Sequence, residues 1–182
     1  MSTRKFCLAV LFCHDATGYE IRRIAGEGRF AFITEAGYGS IYPCLSKLES
    51  EGLVTVSEEF APSKPPKKIY SITNIGKEAF VNELMELPAH DTFRSPFLLV
   101  SLFAQYLDAD FIARAIDARE AYLRDKLSEL RAQATECCNP ASQWTMEYGI
   151  TTLTASLEYL QKHRSRLEEI AREASSQPQA AE

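Results

Sequence analysis

The side chains best suited to binding chemistry share one face of a short predicted helix. The helix follows Ser40 as a predicted N-cap and ends at Gly52, where a left-handed residue would close it. At about 100° per residue, the apolar side chains of this segment fall on one face and the polar ones on the other. The polar face has no acid in its first two turns, and its members are Tyr42, Pro43, Ser46, Lys47 and Ser50. Hydroxyls, lysines and helix N–H groups bind phosphates and base edges, so this pattern indicates a helix that enters a DNA groove.

Basic residues follow this helix in a predicted β-hairpin. Residues 53–60 and 67–73 predict two strands, and the loop APSKPP between them holds three prolines and cannot be regular structure. The hairpin carries the lysines Lys64, Lys67 and Lys68, with no acid between residues 60 and 70. Taken alone, the polar face of the helix could simply be solvated, and the lysines and prolines of the loop could simply belong to an exposed turn. A helix followed directly by a basic hairpin favours a winged helix-turn-helix that binds DNA.

Shorter helices surround this pair of elements. Residues 4–13 and 19–26 predict two helices, and residues 29–37 are predicted to be irregular. The segment 14–18 is turn-like, and Thr17 or Gly18 is placed to cap the second helix. The first half is therefore expected to contain three short helices before the hairpin.

A fourth helix is predicted after the hairpin, with Thr73 as its N-cap and Pro88 as its stop. Its inner face is predicted to hold Phe80, Leu84 and Leu87. Two prolines bracket the polar stretch 88–96, which is the best candidate for a domain boundary. Residues 1–88 are therefore predicted to form a winged helix-turn-helix domain.

The second half is predicted to be entirely helical. Ser95 and Asn139 are placed to cap two helices, and Asp108 or Asp110 to cap the one between them. Apolar residues recur at near-heptad spacing, as in Ile112, Ile116, Leu123, Leu127 and Leu130, and in Met146, Ile150, Leu153, Leu157 and Leu160. A thin bundle of this kind buries little alone, so a second chain is expected to cover the seam. Residues 89–174 are predicted to form a dimerisation domain, and 175–182 a frayed tail.

Length and composition limit the classes of protein. A chain of 182 residues, 46% of them apolar, can bury a core in one large or two small domains. The net charge of −5 and the pI of about 5.4 argue mildly against a nucleic-acid binder, although most of the acidity lies in the second half. No stretch reaches the ~18–20 apolar residues of a membrane span, so a cytoplasmic protein is expected.

The cysteines indicate a reducing compartment. There are five, an odd number without a CxxC pair, which argues against a disulfide framework and a structural zinc site. Cys137 and Cys138 adjoin at a predicted helix break, where a helix N-terminus could stabilise a thiolate. Thiol sensing at this pair is one hypothesis, and small gap-filling side chains are the simpler explanation.

Two other functional classes, an enzyme and a protein-binding module, agree less well with the sequence than DNA binding does. Gly37-Tyr38-Gly39 lacks the continuation of a dinucleotide fingerprint, no Walker lysine or GxSxG is present, and the histidines are scattered. No catalytic role, metal or cofactor is therefore expected. A winged helix that binds protein instead of DNA would fit the acidic pI and is the main alternative.

Three stretches of the first half resemble the PadR family of bacterial transcriptional regulators. They are TGYEI at residues 17–21, GSIYPCLSKLESEGLV at 39–54 and IYSITNIGKEAF at 69–80. The second half resembles, more weakly, the larger PadR-like regulators and related virulence activators. The resemblance implies a homodimeric, often ligand-responsive regulator, usually a repressor, that binds double-stranded operator DNA.

The resemblance also implies roles for individual residues. The third helix of the family enters the major groove, which assigns DNA contact to Ser40, Tyr42 and Lys47, with Tyr38 as an aromatic near the helix start. The wing contacts the DNA backbone, which assigns the same role to Lys64, Lys67 and Lys68. The family's wing often carries Arg and Gly beside Pro, whereas this one has Glu58-Glu59 at its base, a departure that bears on the strength of the contact.

An effector pocket is a further implication of the family. Its candidate walls are the aromatics Phe93, Phe97, Tyr106 and Trp144, near the domain boundary and in the last helix. Aromatic walls suit a phenolic or other hydrophobic ligand. Plain packing in the core or in a dimer interface is the alternative explanation for these side chains.

Overall fold

The computed structural model describes residues 2–26, 40–59, 66–91, 93–136 and 139–176. The chain forms two compact units, Met1–His90 and Asp91–Glu182. The elements of the first are α1 (Thr3–Cys13), β1 (Ala16–Thr17), α2 (Gly18–Gly26), α3 (Ile41–Ser50), β2 (Val54–Glu59), β3 (Lys67–Ile72) and α4 (Asn74–Leu84). Those of the second are α5 (Pro96–Leu102), a 3-10 turn (Ala104–Tyr106), α6 (Ala109–Glu136) and α7 (Pro140–Ser176). The predicted fold class, mainly α-helical with a small β-hairpin, is confirmed.

Within the described residues, the sheet of the first unit has three antiparallel strands in the order β1-β3-β2. The predicted hairpin is its larger part, with Val54 opposite Ile72 and Glu59 opposite Lys67. Strand β1 was expected to be a turn, and that expectation is wrong. Its two residues are a strand only because Ala16 pairs with Tyr70 and Thr17 with Ile69, a long-range contact that local periodicity does not report.

Side chains cap the helices of the first unit at two of the predicted positions. Thr17 Oγ1 accepts a hydrogen bond from the Glu20 amide at 3.2 Å, and Glu20 Oε2 accepts one from the Thr17 amide at 2.8 Å, a reciprocal capping box. Thr73 Oγ1 accepts from the Gly76 amide at 3.0 Å. Gly52 has a φ of 71°, in the left-handed region that closes α3.

Ser40 differs from its predicted capping role. Its backbone is already in the right-handed helical region, with φ −97° and ψ −5°, and its side chain makes no capping hydrogen bond to α3. A capping residue needs extended backbone geometry for its side chain to reach the helix amides. The Ser40 hydroxyl lies instead 2.8 Å from Thr3 Oγ1 at the start of α1.

The core of the first unit lies between α1 and α3. The predicted inner face of α3 is confirmed, because Ile41, Leu45 and Leu48 are fully buried and Cys44 is half-buried against the same cluster. Helix α1 contributes Phe6, Cys7, Leu8, Val10 and Leu11. Burial of a large apolar side chain stabilises the folded state by roughly 1.5–3 kcal/mol, so this cluster holds α3 with its polar face outward.

Helix α4 ends at Leu84, before Pro88. Lys5 of α1 donates a hydrogen bond from Nζ to the Glu83 carbonyl at 2.8 Å, which satisfies one of the terminal carbonyls of α4. Leu84, the last residue of α4, is 56% exposed, and Leu87, which lies beyond the helix, is 96% exposed, so their predicted place on an inner face is wrong. Phe80, one turn earlier, is buried as predicted.

The second unit is built on α6 and α7. The predicted caps are confirmed, since Ser95 accepts from Leu98, Asp108 from Asp110 and Phe111, and Asn139 from Ala141 and Ser142. The apolar seam of α6 is buried in the single chain, where α7 runs against it. The expectation that a second chain covers the seam is therefore wrong for α6. It stays a prediction for α7, where Ile150, Leu153, Leu157 and Leu160 are only partly buried. Helix α7 continues to Ser176, so the first two residues of the predicted tail are helical.

Among the described residues, no helix combines the length and apolarity needed to cross a bilayer.

Candidate nucleic-acid interface and ligand cavity

The outer face of α3 presents the side chains that the sequence placed there. Tyr42, Pro43, Ser46, Lys47 and Ser50 are all exposed. The first turn of α3 holds no acid, and Lys47 lies in its last turn. Glu51, which follows the helix, is paired with Arg4 of α1 at 2.5 Å, so part of the nearby negative charge is offset. This face combines hydroxyl, aromatic and cationic groups on a helix anchored from behind.

Tyr42 is held against the start of α2. An ideal Cβ built on Gly18 would lie 2.5 Å from Tyr42 Cε1, so the ring rests on the glycine backbone with no room for a side chain. Tyr42 nevertheless stays 50% exposed. Gly18 is thus a positioning residue for Tyr42, a role that a helix-start glycine does not reveal in the sequence.

The described lysines of the hairpin are accompanied by acids. Lys68 and Lys67 lie directly opposite Glu58 and Glu59 in the strand register. Lys67 Nζ is also 3.6 Å from Glu20 Oε1. Hydrogen bonds from Thr17, and secondarily the charge of Lys67, hold the pKa of Glu20 below its usual value, so this carboxylate stays ionised. The base of the hairpin is therefore close to neutral.

Several predicted residues are placed differently. Ser40 is exposed at the start of α3 and linked to Thr3, as described above. Tyr38 and Lys64 lie outside the described residues, as do Cys137 and Cys138. The contribution of Glu20 to the hairpin was missed because it comes from a distant helix and has no signal in the local sequence.

The second unit contains a cavity of about 760 Å³ between α5, α6 and α7. Its apolar walls include Phe97 of α5, Ile116 and Leu123 of α6, and Leu160 and Leu167 of α7. This volume lies within the ~300–1,000 Å³ usual for small-molecule sites. The space can therefore hold a ligand of several rings or a side-chain cluster from another protein.

Polar and charged groups also line this cavity. The ring of Tyr159 lies 4.4 Å from that of His163, one turn further along α7. Arg119 contributes a guanidinium that rests 5.0 Å from the ring centre of Tyr122. Arg164 also faces the cavity, but it pairs with Asp117 and with Glu168, the latter at 2.7 Å. An apolar space with a cationic border suits an aromatic molecule that carries a carboxylate.

Two of the four predicted effector residues line this cavity. Phe93 and Phe97 contribute to its walls. Tyr106 packs against Phe103 at 6.5 Å, and Trp144 stacks on Tyr148 at 6.0 Å, away from the lining. The sequence did not identify Arg119 and Tyr159 as cavity residues. A helix face that lines a cavity and one that packs in a core show the same spacing of three and four residues.

Comparisons with known proteins agree on one family. Residues 7–82 match the model described as the transcriptional regulator PadR-like family. The chain is 29% identical over 172 residues to the negative transcriptional regulator PadR of Bacillus subtilis, covering 90% of this chain and 92% of that protein.

Solved structures give the same result for the fold. The PadR-like transcriptional regulator BC1756 of Bacillus cereus is 29% identical, with a TM-score of 0.77 over 92% of this chain and 94% of its own. Bacillus subtilis PadR has been solved with operator DNA, with a TM-score of 0.71 at 22% identity over 92% and 98% of the two chains. It has also been solved with p-coumaric acid, with a TM-score of 0.63 over 92% and 97%.

The matched segment contains α3, the hairpin and the Gly18–Tyr42 contact. The similarity to the Bacillus proteins extends through α5, α6 and α7, since it covers about nine-tenths of the chain. Residues 7–82 thus match the PadR-like family of transcriptional regulators, and about nine-tenths of the chain is similar to regulators of that name from Bacillus.

Proposed function

We propose that this protein is a homodimeric repressor that binds operator DNA through α3 and releases it when a small aromatic ligand occupies the cavity. The observation that carries the proposal is the exposed outer face of α3, acid-free in its first turn, with Tyr42 seated on Gly18. The name of the Bacillus subtilis relative, a negative regulator, supports repression. The operator complex of that relative supports duplex DNA as the partner.

In this proposal α3 reads the major groove and the hairpin approaches the DNA backbone. Ser40, Tyr42, Ser46 and Lys47 supply the helix contacts, since hydroxyls and lysines bind phosphates and base edges. Lys64, Lys67 and Lys68 supply the hairpin contacts. The acids beside Lys67 and Lys68 make the hairpin contribution smaller than that of α3.

A second copy of the chain is proposed to cover the exposed side of α5. This helix has the sequence PFLLVSL and contains no buried residue. Leu98, Leu99 and Leu102 are 50%, 62% and 73% exposed, and Phe103 follows at 48%. Contiguous apolar surface of this kind marks an interaction site in soluble proteins. A homodimer would place two α3 helices on half-sites about 34–36 Å apart, or a multiple of that distance.

The ligand is proposed to act through this spacing. A molecule that binds better to a dimer with the wrong distance between the α3 helices shifts the population away from the DNA-binding form. The apolar walls and the guanidinium of Arg119 favour an aromatic acid. The p-coumaric acid complex of the Bacillus subtilis relative supports this class.

The test of DNA binding is selection of bound sequences from random duplex DNA by the full chain. We expect one enriched site with dyad symmetry, because a two-fold dimer contacts two copies of the same half-site. Affinity for it should fall with salt at a log–log slope of about −0.9 per phosphate contact. Failure to enrich any sequence would contradict the proposal and favour the protein-binding winged helix.

Replacing Glu20 by Gln is expected to strengthen operator binding by roughly two- to five-fold at low salt, because Lys67 loses its acidic partner. Gln still accepts the hydrogen bond of the capping box, so α2 is retained. The salt slope should steepen by up to about 0.9. Fluorescence anisotropy at several salt concentrations measures both quantities, with Glu78→Gln on the exposed side of α4 as the matched control. Unchanged affinity and slope would show that Lys67 does not contact DNA.

Replacing Ser156 by Leu is expected to abolish the ligand response and leave operator binding intact. Ser156 lines the cavity, and its hydroxyl bonds only within α7, to the Thr152 carbonyl at 3.0 Å. A leucine there fills the space where a ligand would lie. Calorimetry with p-coumaric acid as the probe should show at least a roughly ten-fold weaker Kd than the unmodified protein. Thr151→Leu, five residues earlier on the exposed side of α7, is the control and should bind the probe normally. Equal binding by both variants would exclude this cavity as the site.

A further inference from the structure

Two cysteines meet where α1 contacts α3. Cys7 of α1 is fully buried, and Cys44 of α3 is half-buried against the same core cluster. Their thiols are close enough for each to affect the ionisation of the other, and neither forms a disulfide. The pair thus joins the core of the first unit to the helix that carries Tyr42 and Lys47.

A second contact, one turn earlier, fixes the same pair of segments. Thr3 and Ser40 each precede the cysteines by four residues, and their hydroxyl oxygens are 2.8 Å apart. Residues four apart lie on the same side of a helix, so the two segments face each other at two successive levels. The approach of the sulfur atoms is therefore set by the packing of α1 against α3.

The surroundings make Cys44 the nucleophile of the pair. The neighbouring thiol of Cys7, followed by the charges of Arg4 and Lys47, lowers the pKa of Cys44 to about 7, although partial burial and the charge of Glu51 act in the opposite direction. The neighbouring thiol of Cys44 and burial raise the pKa of Cys7, which therefore keeps its proton. Cys44 also lies at the N-terminal end of α3, where the helix dipole favours a thiolate.

We propose that Cys7 and Cys44 form an oxidant-responsive dithiol, which a hydroperoxide converts into an intrachain disulfide between α1 and α3. The site lies in the amino-terminal unit, separate from the ligand cavity of the second unit. Its substrate class is a small hydroperoxide, including hydrogen peroxide itself, because the half-buried Cys44 is reachable only by a compact reagent.

The reaction balances in two steps. The Cys44 thiolate attacks one peroxide oxygen, the O–O bond breaks, and the products are a sulfenic acid on Cys44 and an alcohol, or water from hydrogen peroxide, after protonation. The Cys7 sulfur then attacks the Cys44 sulfur, the S–O bond breaks, and the Cys7 proton leaves with the hydroxyl group as water. Two thiols are oxidised by two electrons, and one peroxide bond is reduced.

The disulfide is expected to move the DNA-binding helix. A disulfide holds its two sulfur atoms about 2.05 Å apart, closer than two separate thiols can lie, so α3 must shift or rotate toward α1. Tyr42 lies on the opposite side of α3 from Cys44 and Lys47 lies one turn further along the helix, so both shift with it. Loss of one good contact to a base lowers affinity by about ten-fold or more. This consequence rests on the proposed DNA-binding function, whereas formation of the disulfide does not.

The chemistry is tested by mass spectrometry on the full chain. In a Cys13→Ser/Cys137→Ser/Cys138→Ser background, Cys7 and Cys44 are the remaining cysteines. We expect stoichiometric hydrogen peroxide to remove two hydrogens per chain, with the cross-link mapped to Cys7 and Cys44 and reversed by dithiothreitol. Adding Cys44→Ala should abolish the change and leave the thermal melt of the protein close to that of its background. Absence of the cross-link, or direct conversion of Cys44 to the sulfinic acid, would overturn the inference.

The regulatory consequence is tested on the selected operator. The oxidised background protein should bind about ten-fold or more weakly than its reduced form, and the Cys44→Ala protein should be insensitive to peroxide. A mapped cross-link with unchanged affinity would overturn the proposed effect on α3. A reduced protein that binds no operator would refute the proposed function instead, while the mass spectrum still decides the dithiol chemistry.

Discussion

Replacing Leu99 and Leu102 together by Asp is expected to yield a folded monomer that binds the operator at least ~100-fold more weakly. Both side chains are largely exposed on α5, so the substitutions remove little from the core of a single chain. At an interface between two copies, however, each buried carboxylate would lie in an apolar contact without a partner. Loss of the dimer removes the second half-site contact, which contributes roughly 10²–10⁴ in avidity.

Sedimentation velocity and anisotropy on the selected operator measure these two effects. Leu87→Asp is the matched control, since Leu87 is a still more exposed leucine in the other unit. It should change neither the oligomeric state nor the affinity. A double variant that remains dimeric, with full affinity, would show that α5 is not the contact between copies.

Replacing Tyr42 by Ala is expected to weaken operator binding by about 10- to 100-fold, the loss of one good base contact. The ring is exposed and oriented by Gly18, so it is held in place before DNA arrives. Ordering a side chain on binding costs conformational free energy. The contact with Gly18 already orders the Tyr42 ring in the free protein, so less conformational freedom is lost when DNA binds. Thermal unfolding should change little, because half of the ring is already in water. Tyr122→Ala, a similarly exposed tyrosine in the second unit, is the control.

Gly18→Ala separates the position of the ring from its chemistry. A methyl group on residue 18 would overlap the Tyr42 ring and displace it, while the tyrosine itself remains. We expect a loss of affinity smaller than that of Tyr42→Ala, and no further loss in the double variant. Additive losses would mean that Gly18 acts independently of Tyr42.

Local chemistry is the part of the fold that could be predicted from the sequence. Thr73, Asp108 and Asn139 were recognisable as caps because a cap bonds amides only two or three residues away. Gly52 was recognisable because few other residues tolerate its backbone conformation. The outer face of α3 was also predictable, because helical periodicity is a local property of the sequence.

Contacts between distant residues could not be predicted in this way. Strand β1 depends on pairing with Tyr70, and a carbonyl at the end of α4 accepts its hydrogen bond from Lys5 of α1. The salt bridge between Glu20 and Lys67, and the seat of Tyr42 on Gly18, join residues that only the folded chain brings together. In each case the missing information was the identity of the neighbour and not the propensity of the segment.

The neutral base of the hairpin bears on how such a regulator would find its target in a chromosome. Attraction to arbitrary sequence comes almost entirely from unpaired cations near phosphate, and here Lys67 and Lys68 face carboxylates within a chain of net charge −5. Residence on random DNA would be brief, so a large share of the molecules would diffuse freely between encounters. Discrimination then depends on the few groups of α3, and cellular occupancy would respond sharply to the number of copies present.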